Sequence, residues 1–325
     1  MEEIFGFSGH QSFPFRQSWL TKGVLSCAMD PLLFTRDDAM VTLGVGKNMV
    51  QSIRYWCLAT GTLEEDLTVR NNRGRQLRPT RLGQLVFLDG GGWDPYLEDI
   101  GTLWLLHWQL ATNVRRATTW YFAFNHLHLS EFTRSSLEDA LSRRYRGLAG
   151  VRFTQETLRR DVEVFIRTYV GSKASHGNHN EDSLDCPLRE LRLLLEDPAH
   201  DLYALVRGPK DSLPDAVLLF AISEYARSKP GQETFTVNEL AFEPGSPGQV
   251  FKLDQSSLAE RLDRAHQITE GAWQFSETLG LRQLFIRKQI DAYALLGKHY
   301  SHDAAARQRE ATVGTRHPAE LPVQG

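Results

Sequence analysis

Two groups of carboxylates stand at spacings that could hold a divalent cation. Asp94, Glu98 and Asp99 lie within WDPYLED, with 94 and 98 four apart, and Glu181, Asp182 and Asp185 lie within EDSLDC. Magnesium takes oxygen ligands and commonly needs only one or two protein carboxylates. A cation held there can stabilise charge developing on a phosphate and its leaving group, which puts phosphate-ester cleavage within reach. The first group has a plainer reading, since acids at a helix start offset the dipole. The second follows the polar linker GSKASHGNHN, where an acidic cluster has less structural reason, and the metal set leans there: Glu181, Asp182 and Asp185, with Glu98 as the alternative ligand. The catalytic candidates are Asp182 and Asp185, then Asp94 and Asp99.

The histidines offer less. His176, His179 and Cys186 make three zinc ligands without a fourth, so a structural role is expected. His10, between Gly9 and Gln11, is expected to be a satisfied structural histidine, with a phosphate or metal contact as the other reading. His126 and His128 point to different helix faces and do not share a metal with His107.

Something must present a substrate to such a site, and the stretch from Arg36 to Arg81 is patterned for it. Asp37 and Asp38 can cap a short helix ending near Leu43. Gly44 and Gly46 allow a tight turn into a second helix over Lys47 to Leu58. Its apolar stripe, Val50, Ile53 and Cys57, faces inward, leaving Lys47, Asn48, Gln51, Arg54 and Tyr55 on or beside the outer face. A hairpin follows, Leu67–Val69 with Gln76–Leu77, and its turn carries Arg70, Arg73, Arg75 and Arg78. From Lys47 to Arg81 seven Lys/Arg stand against three Asp/Glu, while the whole chain is −3. Helix-turn-helix followed by a basic hairpin reads as a winged helix whose second helix and wing contact DNA. Protein docking, with the arginines merely solvated, is the other reading.

The chain has 325 residues, 41% hydrophobic and 24% charged, enough for two or three cores. No apolar run approaches the roughly 18 residues of a membrane span, and MEEIFGFSGHQSF lacks the pattern of a signal peptide. Cys27, Cys57 and Cys186 are odd in number and far apart, which fits a reducing cytoplasm.

The remaining segments repeat an order of parts. FGFSGHQSFPFRQSWLTKG reads as a packed irregular lead-in. A helix is expected at Thr80–Leu88, another started by Asp94-Pro95, and a strongly helical stretch over Leu103–Leu129. Ser135–Tyr145 and Gln155–Val170 read as a second helix-turn-helix, with Thr154 as cap. Helices at Asp215–Ser228 and Leu253–Ile268, with a hairpin of Trp273–Ser276 and Arg282–Ile286, give winged-helix order again. The fold class is therefore mainly α, with several winged-helix-like units joined by a helical middle region. The expected division is 1–92, an N-terminal DNA-binding unit; 93–210, a helical middle; 211–300, a C-terminal winged-helix-like unit; and 301–325, a mobile tail.

Four phrases in order, FSGHQSFPFRQSWLTKG, DDAMVTLGVGKNMVQSIRYW, WDPYLEDIGTLWLLHW and EDSLDCPL, resemble a bacterial domain-of-unknown-function family found in DNA phosphorothioation operons. Its characterised type is the SspB-like nicking component of the Ssp anti-phage system, and the resemblance runs from about Phe5 to Ile286. It implies a cytoplasmic protein that cuts one strand of double-stranded DNA with Mg²⁺, beside an ATPase and sulfur-transfer partners. It carries over no catalytic residue by number. A non-catalytic DNA-binding scaffold or regulator that recruits the sulfur-modification partners is the alternative, and oligomeric state is open.

Overall fold

The apolar stripe Trp19, Leu20, Val24 and Cys27 folds as α1 (Gln17–Met29), which lies against the helix-turn-helix that follows it. The structure, a computed structural model, describes residues 5–148, 151–170 and 186–301. After α1 come a single 3-10 turn (Leu33–Thr35), α2 (Ala39–Leu43) and α3 (Lys47–Ala59), then β1 (Leu63–Glu65), β2 (Leu77–Pro79) and α4 (Arg81–Phe87). β1 and β2 pair antiparallel with Glu64 opposite Arg78.

The ribbon is shifted from the expected one, since β1 precedes Leu67–Val69 and β2 shares only Leu77 with the expected second strand. Residues 66–76 instead form a loop organised by side chains. The Asp66 carboxylate accepts from both the backbone and the hydroxyl of Thr68. The Asn72 amide donates to the carbonyls of Asp66 and Gln76 and accepts from Gln76 N at 2.6 Å. These bonds satisfy backbone groups that a longer ladder would have used.

The middle of the chain holds α5 (Ile100–Thr112), α6 (Thr118–Asn125), β3 (Glu131–Phe132), α7 (Arg134–Tyr145) and α8 (Gln155–Tyr169). The helix expected from Asp94 begins later. Asp94 accepts from the N–H groups of Glu98 and Asp99 and closes a turn in which Leu97 has φ 56°, so the helix starts after Asp99, which caps Gly101 N. The stretch expected to be helical to Leu129 breaks at Asn113. The Asn113 amide donates to the carbonyls of Leu58 and Ala59, so the break in one helix caps the end of α3. Thr154 caps α8 as expected, and Leu158, Val162, Phe165 and Ile166 are buried.

α5 is buried almost all round, which places it at the centre. His107 sits in its middle with no exposure. Its Nε2 donates to the Val250 carbonyl and its Nδ1 accepts from the Tyr169 hydroxyl. Burial pushes this imidazole from 6.5 down to about 3. Below pH 6.5 the unfolded chain therefore takes up a proton that the folded chain refuses, and stability is lost as pH falls toward 3. By pH 4 this single site is expected to cost about 3 kcal/mol. Melting temperatures followed from about pH 7.5 to 4 should fall less steeply for His107→Gln than for the wild type. Parallel curves would exclude His107 as the titrating group.

After a 3-10 segment (Pro187–Leu191) come β4 (Leu194–Asp197), β5 (Leu202–Leu205), α9 (Asp215–Arg227), β6 (Thr234–Thr236), α10 (Val237–Phe242), α11 (Pro247–Phe251), α12 (Gln255–Asp263), α13 (Ala265–Ile268), β7 (Trp273–Thr278) and β8 (Leu281–Ile286). Residues 292–301 are helical. The sheets run β3-β5-β4 and β6-β8-β7, all antiparallel. The helix expected over Leu253–Ile268 divides at Arg264, whose guanidinium binds Asp215. The hairpin falls where its alternation placed it, turning at Leu279-Gly280 with both φ positive. The protein is thus mainly α with three small sheets among the described residues. No described helix is long and apolar enough to cross a membrane.

Candidate nucleic-acid interface

The turn between α2 and α3 uses Gly44 in the left-handed region at φ 64°, and its N–H bonds back to Met40 and Val41. Gly46, at φ −68°, needs no such freedom. This turn sets α3 with Val50, Ile53, Trp56 and Cys57 inward and Lys47, Asn48 and Gln51 exposed. Tyr55, expected on the outer side, is buried, edge-on to His10 at 5.5 Å. Arg54 is half-buried and donates to the Gly74 carbonyl at 2.8 Å, which ties α3 to the loop between β1 and β2. Burial first and the nearby Arg116 second lower its pKa, against the pull of Glu65.

Arg70, Arg73 and Arg75 project from that loop, exposed and without a side-chain partner among the described residues. Arg78 is exposed but pairs with Glu64 at 2.8 Å. Lys47, Gln51 and the three loop arginines therefore stand available on two adjoining elements, while Arg78 on β2 is paired. A surface of this kind can neutralise phosphates and read base edges beside them.

The lead-in phrase lies directly beneath. Ser8, Gly9, Gln11 and Ser12 all have positive φ, a conformation held in place by specific contacts. A Cβ on Gly9 would stand 2.6 Å from the Tyr55 ring, and one on Gly6 would stand 2.4 Å from the Arg115 carbonyl oxygen. His10 is buried, and both ring nitrogens are engaged. Nδ1 accepts from Ser12 N at 3.1 Å, so Nε2 carries the proton and donates to Asp161 at 2.8 Å. Asp161, on α8 and equally buried, also accepts from Ser8 N and from the Thr119 hydroxyl. His10 is thus a structural histidine that locks the loop onto α8. Nothing in the local pattern marks Asp161 as its partner, because the two are separated by 151 positions.

The first carboxylate group is built into a helix start. Asp94 and Asp99 are 3% and 5% exposed, both Asp94 oxygens accept backbone N–H groups, and Asp99 faces His299 at 3.4 Å. Glu98 is exposed. Among the described residues no three His, Cys, Asp or Glu are placed to hold a metal ion. Glu181, Asp182, Asp185, His176 and His179 lie outside the described residues. Cys186 is buried. Arg115 and Arg116, in the turn between α5 and α6, were missed from sequence; their signal was a basic pair at a break between two apolar helices.

A family model described as Protein of unknown function (DUF4007) matches residues 7–300. Two solved structures are similar, one an SspB crystal structure and the other a magnesium ion-bound SspB crystal structure. Each is 30% identical, covers 91% of this chain and 88% of its own, and superposes with a TM-score of 0.80. No curated protein matches in sequence.

Proposed function

The chain belongs to the DUF4007 family and is SspB-like, and from that premise we propose that it binds double-stranded DNA and nicks one strand with Mg²⁺ in a phosphorothioation system. The observation that carries the DNA reading is the set of unpartnered, exposed cations Lys47, Arg70, Arg73 and Arg75 on α3 and the adjoining loop, among the described residues. In this reading α2, α3 and the β1–β2 ribbon act as a winged helix, α3 entering the major groove and the loop flanking it. The order α9, β6, α10, α12, β7, β8 is that of a second winged helix. The units keep the divisions 1–92, 93–210 and 211–300, with a tail beyond 301, in a cytoplasmic protein that works beside an ATPase and sulfur-transfer partners.

Mg²⁺ enters the proposal through the magnesium-bound relative. When bound, it would supply positive charge at the phosphate being cut. Asp94 and Asp99 fit a cation poorly, because both oxygens of Asp94 and one of Asp99 already accept from the backbone, so the carboxylates proposed to hold it are Glu181, Asp182 and Asp185. The second reading, a non-catalytic scaffold that delivers DNA to the sulfur-inserting partners, needs only the exposed cations of α3 and the adjoining loop. A supercoiled plasmid incubated with the protein in Mg²⁺ and in EDTA separates them. Conversion to open circle in Mg²⁺ alone is the expected result, and binding without conversion selects the scaffold.

The geometry of α3 also divides its own residues. Gln51 is exposed and reaches outward, so Gln51→Ala should reduce discrimination between DNA sequences by roughly 1 to 3 kcal/mol. Arg54 holds Gly74, so Arg54→Ala should weaken binding to every sequence alike. Competition binding across a panel of duplexes checks both, and equal weakening by Gln51→Ala would move that residue to phosphate positioning.

A further inference from the structure

Where the lead-in loop, α3 and the α5–α6 turn meet, the surface opens into a cavity of about 270 Å³, far more than the ~30 Å³ share of one water in the liquid. Gln11, Gln51, Arg54, Tyr55, Arg115 and Arg116 line it. Three arginines thus line one opening. The acids nearby are already committed: Glu65 pairs with Arg116, and Asp161 is sealed below by His10, Ser8 and Thr119. Arg54 gives one nitrogen to Gly74. Arg115, Gln51 and Gln11 have no side-chain partner among the described residues.

The walls are fixed before any ligand arrives. Gly9 lies against the Tyr55 ring, Gly6 against the Arg115 carbonyl, and the loop is tied to Asp161 at two points. Burial first and the Arg116 guanidinium second lower the pKa of Arg54, against the pull of Glu65, so the Arg54 and Arg116 charges repel one another. A dianion or phosphodiester relieves that repulsion and matches the forked donors of arginine. Gln51 is shared with the outer face of α3, so a strand lying along α3 has a continuous path into the opening.

We propose that this cavity is a phosphate-binding site, with Arg115 and Arg116 on the phosphate oxygens, Arg54 and Gln51 beside them, and a DNA strand as the source of the phosphate. The DNA source rests on the reading of the preceding subsection; the oxyanion site does not.

The test uses the full chain and Arg115→Gln, a substitution at an exposed, unpartnered side chain, with Arg115→Lys as the conservative variant. Inorganic phosphate should raise the melting temperature of the wild type and leave that of Arg115→Gln unmoved. Duplex affinity should fall about tenfold in Arg115→Gln, the salt slope should drop by roughly 0.9, and Arg115→Lys should keep the slope while giving up part of the affinity. A phosphate shift that depends on Arg115, with no duplex binding by the wild type, upholds the site and assigns it to free phosphate or a mononucleotide. Unchanged duplex affinity, slope and phosphate response in Arg115→Gln would overturn the site, and the DNA reading would still stand on the β1–β2 loop.

Discussion

Asp182→Asn and Asp185→Asn are each expected to leave supercoiled plasmid uncut in Mg²⁺ while binding DNA and melting as the wild type does. A cation at the scissile phosphate needs anionic oxygens to hold it, and an amide in place of a carboxylate removes both the charge and one ligand oxygen. The opposite pattern is expected at the helix start before α5. Asp94→Asn keeps one acceptor but turns an amide donor toward a backbone N–H, since Glu98 N and Asp99 N each take one Asp94 oxygen. A buried donor facing a donor costs about 1 to 3 kcal/mol, so Asp94→Asn should lower the melting temperature and lower activity only in step with it. Full nicking by both Asp182 and Asp185 variants, with a folded but inactive Asp94→Asn or Asp99→Asn, would move the metal to the first group. Nicking by all four would remove both groups.

Neutralising Arg70, Arg73 and Arg75 together should produce the second large effect. Each cation seated on a DNA phosphate releases a counterion and adds about 0.9 to the slope of log affinity against log salt. Arg70→Gln, Arg73→Gln and Arg75→Gln combined are therefore expected to flatten the slope by up to that amount for every phosphate no longer neutralised, and to weaken binding more than about tenfold at moderate salt. The side chains are exposed and unpartnered among the described residues, so stability should hardly change. Arg78→Gln is the internal control, because Arg78 is held by Glu64 and should contribute less. Affinity and slope equal to wild type in the triple variant would remove this loop as a DNA-binding surface.

The two carboxylate groups and the arginine loop illustrate different grades of legibility. The order of four local phrases was enough to identify the family, and the family model spans residues 7–300 accordingly. The loop arginines could be read as exposed because a Gly- and Asn-rich turn has no core to bury them. Asp94 could be read only as a candidate, since a helix cap and a metal ligand use the same residue type at the same spacing, and the difference lies in which N–H groups its oxygens meet.

What the sequence determined by itself is local. The α3 stripe, the Thr154 cap and the β7–β8 hairpin follow from periodicity and capping chemistry that act within a few residues, and the structure places them as the pattern does. The tertiary structure alone decided that Tyr55 turns inward, that Asn113 ends one helix to cap another, and that His10 meets Asp161. It also decided that Arg54, Arg115 and Arg116 share an opening. The two hydrogen-bonded pairings join groups 54 and 151 positions apart. Burial forces each polar group there to find a partner, and which partner stands within reach is set by packing that no short window of sequence contains.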